Sequence, residues 1–122
     1  MSKWQDKSNE EINIAVTGHV HNCKDWELSA DRLRFYHHGN DVSQFFEIHV
    51  LDYCGNWAFA GPLIQECEIH LIDPTSAGLD GEWSASKFYP EFGKDDIEAD
   101  DENPLRAAMI VYLEINGVQP NE

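Results

Sequence analysis

The chain has 122 residues and a formal net charge of −15, from 23 Asp and Glu against eight Lys and Arg. This length fits a single domain, residues 1–122, which is large enough to bury a core without disulfide or metal support. The aromatic side chains, four Trp, four Tyr and six Phe, argue against disorder. No apolar run approaches the about 18 residues of a membrane span, so we expect a soluble, untargeted protein.

The acidic charge is concentrated in the second half of the chain. Residues 1–60 hold nine acids and five bases, whereas residues 61–122 hold fourteen acids and three bases. A field of this sign repels nucleic acid and anionic membranes, and it favours either solubility or binding to a basic partner. The cysteines, Cys23, Cys54 and Cys67, are odd in number and far apart, which indicates reduced thiols rather than a disulfide framework.

The first predicted element is a short helix over residues 9–17. Ser8 and Glu11 have the spacing of a capping box, and Ile12 and Val16 recur at helical spacing. Gly18 is a typical residue at the end of a helix. We therefore expect this helix to stop at Gly18 and to face the core through its two aliphatic residues.

A β-hairpin is predicted next, because apolar and polar residues alternate between residues 26 and 51. One strand covers residues 32–37 and the other covers residues 45–51, with Gly39-Asn40-Asp41 supplying the turn. The side chains expected on the buried face are Leu33, Phe35 and His37 on the first strand and Phe46, Ile48 and Val50 on the second.

The middle of the chain predicts helix followed by two strands. Asn56 is a suitable helix cap, but Gly61-Pro62 indicates one broken helix or two short ones over residues 56–67. Residues 69–72 form a predicted strand, residues 74–81 a loop, and residues 82–88 a strand that pairs back on residues 69–72. Residues 89–102 are predicted to be an acidic loop.

The last helix has the clearest pattern in the chain. Asn103 is a good N-cap, Pro104 suits the first helical position, and Asn116 and Gly117 are typical of a helix end. Between them only Arg106 and Glu114 are charged, and a helix that is apolar nearly all round is normally buried. The chain as a whole predicts an α+β domain: a mainly antiparallel sheet of about four strands, with two to three helices packed on it and a buried C-terminal helix.

With these elements in place, the chain resembles the NinX-like family of small tailed-phage proteins. The matching stretches are Glu11-Ile12-Asn13, Asp52-Tyr53-Cys54, Pro62-Leu63-Ile64, Trp83-Ser84-Ala85 and, above all, residues 103–113. The chain is also similar, more distantly, to phage α/β/α sandwich domains that end in an apolar helix. The resemblance implies a phage protein that acts in the bacterial cytoplasm as a dispensable, often host-directed accessory. It implies no catalytic residues.

A ligand-binding face is one interpretation of the predicted strands. Arginine gives bidentate contacts to phosphate, and aromatic rings stack on bases, so these residue types fit an anionic, aromatic ligand such as a nucleotide. The alternative is an ordinary polar sheet face. The candidate ligand-binding residues are Arg32, Arg34, Tyr36, His38, His49, Trp57, Trp83 and Arg106, with Trp26, His37, Phe46 and His70 nearby in the pattern.

Other candidate sites have weaker patterns. If the stretch Gly18–Cys23 is extended, His19, His21 and Cys23 share a face that suits Zn²⁺, although no spacing supplies a fourth ligand and loop or packing roles are the alternative. Arg106 either reaches back to the acids at residues 100–102, points to solvent or binds phosphate. Ser84 and Ser86 have no nucleophile elbow, and no glycine-rich phosphate loop is present.

The acids before the last helix have three interpretations. They compensate the helix dipole, they bind Ca²⁺ weakly without the Gly and Glu positions of an EF-hand, or they mimic the phosphates of DNA toward a basic host protein. The residues concerned are Asp95, Asp96, Glu98, Asp100, Asp101 and Glu102.

The functional expectation is a non-enzymatic, host-directed phage protein that sequesters a small host molecule, such as a nucleotide immune signal. The alternative is an acidic inhibitor of a basic host protein. We expect no cofactor, no bound metal, no direct contact with nucleic acid or membrane, and a homo-oligomer in the host cytoplasm.

Overall fold

Three helices and two small sheets make up the part of the chain that the computed structural model describes, residues 3–39, 45–74, 81–89 and 96–120. The helices are α1 (Asn9–Val20), α2 (Trp57–Glu66) and α3 (Pro104–Ile115), and a single 3₁₀ turn (Lys3–Asp6) precedes α1. The strands are β1 (Glu27–Leu28), β2 (Arg34–His38), β3 (Phe45–His49), β4 (His70–Ile72), β5 (Trp83–Lys87) and β6 (Ile97–Asp101).

The α+β class is confirmed, but the prediction of one sheet of about four strands is wrong in detail. Within the described residues, β1-β2-β3 form one antiparallel sheet, here called sheet A, and β4-β5-β6 form a second, called sheet B. β1 was missed because two residues are too few to show alternation. β6 was missed because Ile97 and Ala99 alternate with carboxylates, which gave the stretch the composition of a loop. Residues 90–95 of the predicted acidic loop lie outside the described residues.

Helix α3 is the centre of the core, as predicted. It contacts β5 and β6 of sheet B and both other helices, and eight of its residues are buried. Asn103 caps it by accepting from the backbone amides of Leu105 at 2.9 Å and Arg106 at 3.4 Å. At the other end Gly117 has φ +69°, which lies in the left-handed region that glycine adopts without strain. The buried side chains of α3 are Leu105, Ala107, Ala108, Met109, Ile110, Val111, Tyr112 and Leu113.

The starts of the other two helices are confirmed, but the predicted end of α1 and the predicted break in α2 are wrong. Ser8 caps α1 through a bond from the Glu11 amide at 3.1 Å, as predicted, but the helix passes Gly18 and ends at Val20. Gly18 inside the helix gives the Phe35 ring room, because a Cβ there would approach the ring to 3.1 Å, a tight contact. Helix α2 also continues through Pro62, which is exposed, so water can reach the carbonyl that the missing N–H leaves unpaired.

The predicted strand pairs are confirmed, and the predicted faces only partly. β2 pairs with β3, and β4 with β5, both antiparallel. Phe35 is buried where Gly18 of α1 lies against it, whereas Leu33 is 62% and Phe46 49% exposed among the described residues. In β5 the adjacent residues Ala85 and Ser86 are both buried rather than alternating. The predicted turn at residues 39–41 and loop at residues 74–81 lie largely outside the described residues.

Candidate functional site

A groove of about 1070 Å³ runs between helix α1 and one face of sheet A, and we call it the α1 groove. Its residues on α1 recur every three or four positions, so they form one stripe along most of the helix. The α1 stripe consists of Glu11, Ile14, Ala15, Gly18 and His19; the sheet side consists of Trp26, Leu28, Arg32 and Phe35; and the remaining lining residues are Trp4, Lys7, Asn22, Cys23, Lys24, Val118 and Gln119.

The α1 groove is basic although the protein is strongly acidic. Among the described residues, Lys7, Lys24 and Arg32 line it, against a single lining carboxylate, Glu11. These are three of the eight Lys and Arg residues in a chain of net charge −15. A concave surface of one charge sign concentrates its field and attracts ligands of the opposite sign.

The two ends of the α1 groove differ in charge balance. At the start of α1, Arg32 Nε lies 2.8 Å from Glu10 Oε1, and Lys7 Nζ lies 4.0 Å from Glu11 Oε2. Past the end of α1, Lys24 has no carboxylate within ion-pair distance among the residues described. The end near Lys24 therefore carries the uncompensated positive charge.

Aromatic rings line the groove between these ends. Trp26 is half-buried and stacks on His37 with ring centroids 5.6 Å apart. Phe35 is buried against Gly18, and the ring of His19 meets the edge of Tyr112 at 5.7 Å. Flat, partly exposed rings beside cationic side chains form the combination that holds a base or another aromatic anion.

A four-bond clamp at Arg106 fixes the segment that carries Lys7, one of the residues lining the groove. Its guanidinium donates to Asp101 Oδ2 at 2.9 Å, Asn9 Oδ1 at 2.9 Å, and the carbonyls of Gln5 at 3.0 Å and Lys7 at 2.6 Å. The segment before α1 is thereby tied to the start of α3. The predicted contact of Arg106 with the acids at residues 100–102 is confirmed, and its four bonds give this side chain a structural role.

The same segment is fixed a second time by Trp4. This ring is 4% exposed, and its Nε1 donates to the carbonyl of Val118 at 3.0 Å. Because Trp4, Lys7 and Val118 all line the α1 groove, the two attachments hold that part of the lining in a defined position.

A polar network beneath the groove connects α1, the loop before α2 and α3. Asn13 donates to Asp52 Oδ1 at 3.1 Å and accepts from the amide of Cys54 at 2.9 Å. Asn103 donates to the carbonyl of Cys54 at 2.6 Å. Burial raises the pKa of the Cys54 thiol from 9.0 to about 12, with a smaller opposing effect from Arg106. Cys54 is therefore a neutral packing group at physiological pH.

The predicted ligand-binding residues do not form one pocket. Arg32 lines the α1 groove. Trp57 is exposed at the start of α2, Trp83 lies half-buried on β5, and Arg106 belongs to the clamp. The other four share the face of the β2–β3 hairpin that points away from Phe35, here called the hairpin outer face, which holds Arg34, Tyr36, His38, Phe45, Glu47 and His49.

The charges on the hairpin outer face are paired with one another. Arg34 Nη1 donates to Glu47 Oε2 at 2.9 Å, and His49 Nε2 lies 3.4 Å from the other oxygen of the same carboxylate. Tyr36 stacks on Phe45 at 6.0 Å, and a hydrogen bond with the Glu27 carboxylate raises the pKa of the Tyr36 hydroxyl. The face therefore offers an aromatic surface without a surplus of positive charge.

The premise of the zinc hypothesis was wrong, because residues 18–20 are helical rather than extended. His19, His21 and Cys23 do not form a ligand set, and no group of three His, Cys, Asp or Glu among the described residues is arranged to hold a metal ion. Burial raises the pKa of the Cys23 thiol, which lines the α1 groove.

The groove residues that the sequence interpretation missed are Lys7, Lys24 and Phe35 as binding-site members. Lys7, Glu11, Ala15 and His19 recur every four residues, and this spacing could have indicated a common face. The prediction that the helix ends at Gly18 excluded His19 from that face. Trp26, which the sequence pattern places near the candidate residues, lines the groove.

Fold and groove together define a small α+β domain with a basic, aromatic groove on an otherwise acidic surface. The family model described as Bacteriophage P22, NinX matches residues 4–115 of the chain. The chain therefore belongs to this phage NinX family, as the resemblance of its motifs indicated. A search of curated proteins finds no match. None of the helices among the described residues is both long and apolar enough to span a membrane.

Proposed function

We propose that this NinX-family protein is a non-enzymatic phage accessory that binds an anionic, ring-bearing small molecule of the host in the α1 groove and withholds it. A nucleotide immune signal in the host cytoplasm is the most specific form of the proposal, which makes the protein a counter-defence factor. The observation that carries the proposal is the concentration of Lys7, Lys24 and Arg32 on one aromatic-lined groove of a chain with net charge −15.

The size and polarity of the groove support a ligand of nucleotide size or larger. Ligand pockets typically measure about 300–1,000 Å³, and the groove, at about 1070 Å³, lies at the upper limit. Its charge balance supports one orientation, with the phosphate near Lys24 and the ring beside Trp26. The Glu11 carboxylate at the opposite end supplies an acceptor for a hydroxyl or amino group.

Calorimetry against linear, cyclic and ADP-ribose-type nucleotides tests the proposal, with Arg32→Ala and Arg34→Ala as a matched pair. Both arginines are about half exposed and ion-paired, at 2.8 and 2.9 Å, but only Arg32 lines the groove. Arg32 lies at the end of the groove away from the phosphate, so Arg32→Ala should weaken binding by about tenfold or more through loss of a hydrogen bond from the guanidinium to an acceptor on the ligand's ring or sugar. Arg34→Ala should bind like the unmodified protein. Absence of binding at tens of micromolar for every nucleotide class would sink the proposal.

A phosphate-free comparison tests the orientation. Lys24→Ala should weaken the nucleotide but leave the affinity for the corresponding nucleoside unchanged, because only the phosphate meets Lys24. Mass spectrometry of small molecules released from protein purified out of infected cells should identify the natural ligand. Sequestration further requires that the ligand be recovered unchanged after long incubation, whereas a product that accumulates with time would indicate a hydrolase.

A second candidate, an acidic inhibitor of a basic host protein, is favoured by one observation on β6. Its exposed carboxylates share one face of an edge strand, about 6.7 Å apart at alternate positions. A pull-down from host lysate whose yield collapses with salt would support it. Asp101 is excluded from the test because it binds Arg106. The residues to neutralise together are Asp96, Glu98, Asp100 and Glu102, and unchanged capture by that variant would end this candidate.

A further inference from the structure

We infer that a second copy of this chain pairs with the free edge of β3 and joins two copies of sheet A into one six-stranded antiparallel sheet across a two-fold axis. β3 is an outer strand of sheet A in the part of the chain that the structure describes. Phe45 and Phe46 on it stay 54% and 49% exposed, on opposite faces. This surface is separate from the α1 groove, so the inference stands or falls independently of the proposed function.

The backbone groups along this edge are set for pairing. The Val50 amide donates to the Leu33 carbonyl at 2.9 Å, on the β2 side. Since N–H and C=O directions alternate along a strand, Ile48 also faces β2, and the residues between point away from it. An outward row of unpaired amides and carbonyls is a template for another strand. The outward groups belong to Phe45, Glu47 and His49.

Side-chain chemistry selects one register. A shift of one residue turns every side chain to the other face, so a two-fold junction that keeps the faces aligned has few registers. The residue on the two-fold axis lies opposite the same residue of the second copy. If that residue were Glu47 or His49, like groups would lie directly opposite each other, which is destabilising for charges. Centring the junction on Phe46 would set Glu47 against a phenyl ring. Centring it on Ile48 sets each Glu47 against His49 of the second copy.

The Ile48-centred register is complementary on both faces. On the hairpin outer face, the Glu47 carboxylate already contacts Arg34 at 2.9 Å and His49 of its own strand at 3.4 Å. The second copy places the imidazole of its His49 beside the same carboxylate. A charged residue such as Glu47 normally discourages pairing at a sheet edge, but here it has a partner across the junction. On the other face, the two Ile48 side chains meet at the axis and Phe46 meets Val50 of the second copy, which buries exposed apolar surface.

Sedimentation equilibrium of the full chain is the first test, and we expect a concentration-dependent species of twice the 14.0 kDa chain mass. Ile48→Cys in a Cys67→Ser background then tests the register. Opposed residues at such a position have Cβ atoms about 4.5–5.5 Å apart, close enough for a disulfide or a short cross-linker. Ile48→Cys should form a covalent dimer, whereas Leu33→Cys, 62% exposed but off the edge, should not.

Charge variants at His49 complete the test, because its side chain is 70% exposed and its replacement should not alter the unfolding midpoint at concentrations where the chain is monomeric. His49→Glu should abolish the dimer by opposing two carboxylates, and His49→Lys should retain it. A monomer at every concentration, cross-linking of Leu33→Cys as fast as Ile48→Cys, or faster cross-linking of Phe46→Cys would each overturn the inference.

Discussion

Replacement of Arg106 by Ala should destabilise the protein far more than a typical ion-pair deletion. The Arg106 and Asp101 side chains are only 12% and 21% exposed, and the variant loses all four guanidinium bonds at once. Breaking an interior ion pair costs about 3–5 kcal/mol. Asp101 keeps its bond from the Asn103 amide and some contact with water, so we expect a loss of about 3 kcal/mol, at the low end of that range.

Urea unfolding followed by tryptophan fluorescence measures this loss, and a urea dependence of about 1–3 kcal/mol per molar converts it to a midpoint shift of roughly 1–3 M. The control is Arg34→Ala, which breaks a pair of the same 2.9 Å length whose side chains are 44% and 28% exposed. Exposed pairs contribute about 0–1 kcal/mol. Arg106→Lys should fall between the two, because an ammonium group cannot reproduce the guanidinium fork. Equal midpoints for Arg106→Ala and Arg34→Ala would refute the clamp.

Three further outcomes are expected. The free energy of unfolding should fall as pH rises from about 9 through about 12. Burial raises the pKa of Cys54 and of Tyr112 to about 12 in the folded state, whereas an unfolded chain releases these protons at lower pH. Urea unfolding at a series of pH values measures this fall, and Cys54→Ala should make the dependence on pH less steep. Gly61→Ala should stabilise α2 by about 0.5–1 kcal/mol, since a Cβ there meets open space, and an unchanged thermal midpoint would contradict this. Gly55→Ala should destabilise by about 1 kcal/mol or more because its Cβ would overlap the Asp52 carboxylate that Asn13 holds, and a neutral result would show that Asp52 moves aside.

Elements with several independent local signals could be predicted from the sequence. Helix α3 has a cap, a proline at its first position and an apolar run, and all three indicate the same bounds. Predictions that rested on a single residue were wrong: Gly18 alone suggested the end of α1, and Pro62 alone suggested a break in α2. In each case tertiary packing or solvent access decided the outcome, through the contact with Phe35 and the exposed side of α2.

The candidate site could be predicted only in chemical type. Arginine and aromatic residues near residues 26–36 suggested an anionic, aromatic ligand, and Trp26 and Arg32 do line the groove. Period-two alternation groups residues on one strand, so it brought Arg34 and Tyr36 together correctly on the hairpin outer face. It cannot show which helix covers a face, and the α1 groove exists because α1 lies over the other side of the sheet. Only that packing places Lys7 and Lys24 on the same groove, one at each end.

The residues that identify the family and the residues that line the groove are largely different sets, and this separation is testable. Asn13 and the Cys54 backbone belong to the buried polar network, whereas Lys24 lines the groove. Asn13→Ala leaves the buried Cys54 amide without its acceptor, which should cost about 1–3 kcal/mol of unfolding free energy. Lys24→Ala should leave that free energy unchanged and alter only ligand affinity. If Lys24→Ala destabilised the fold as much as Asn13→Ala did, scaffold and site would be one unit, and the family motifs would then report on ligand binding as well as on fold.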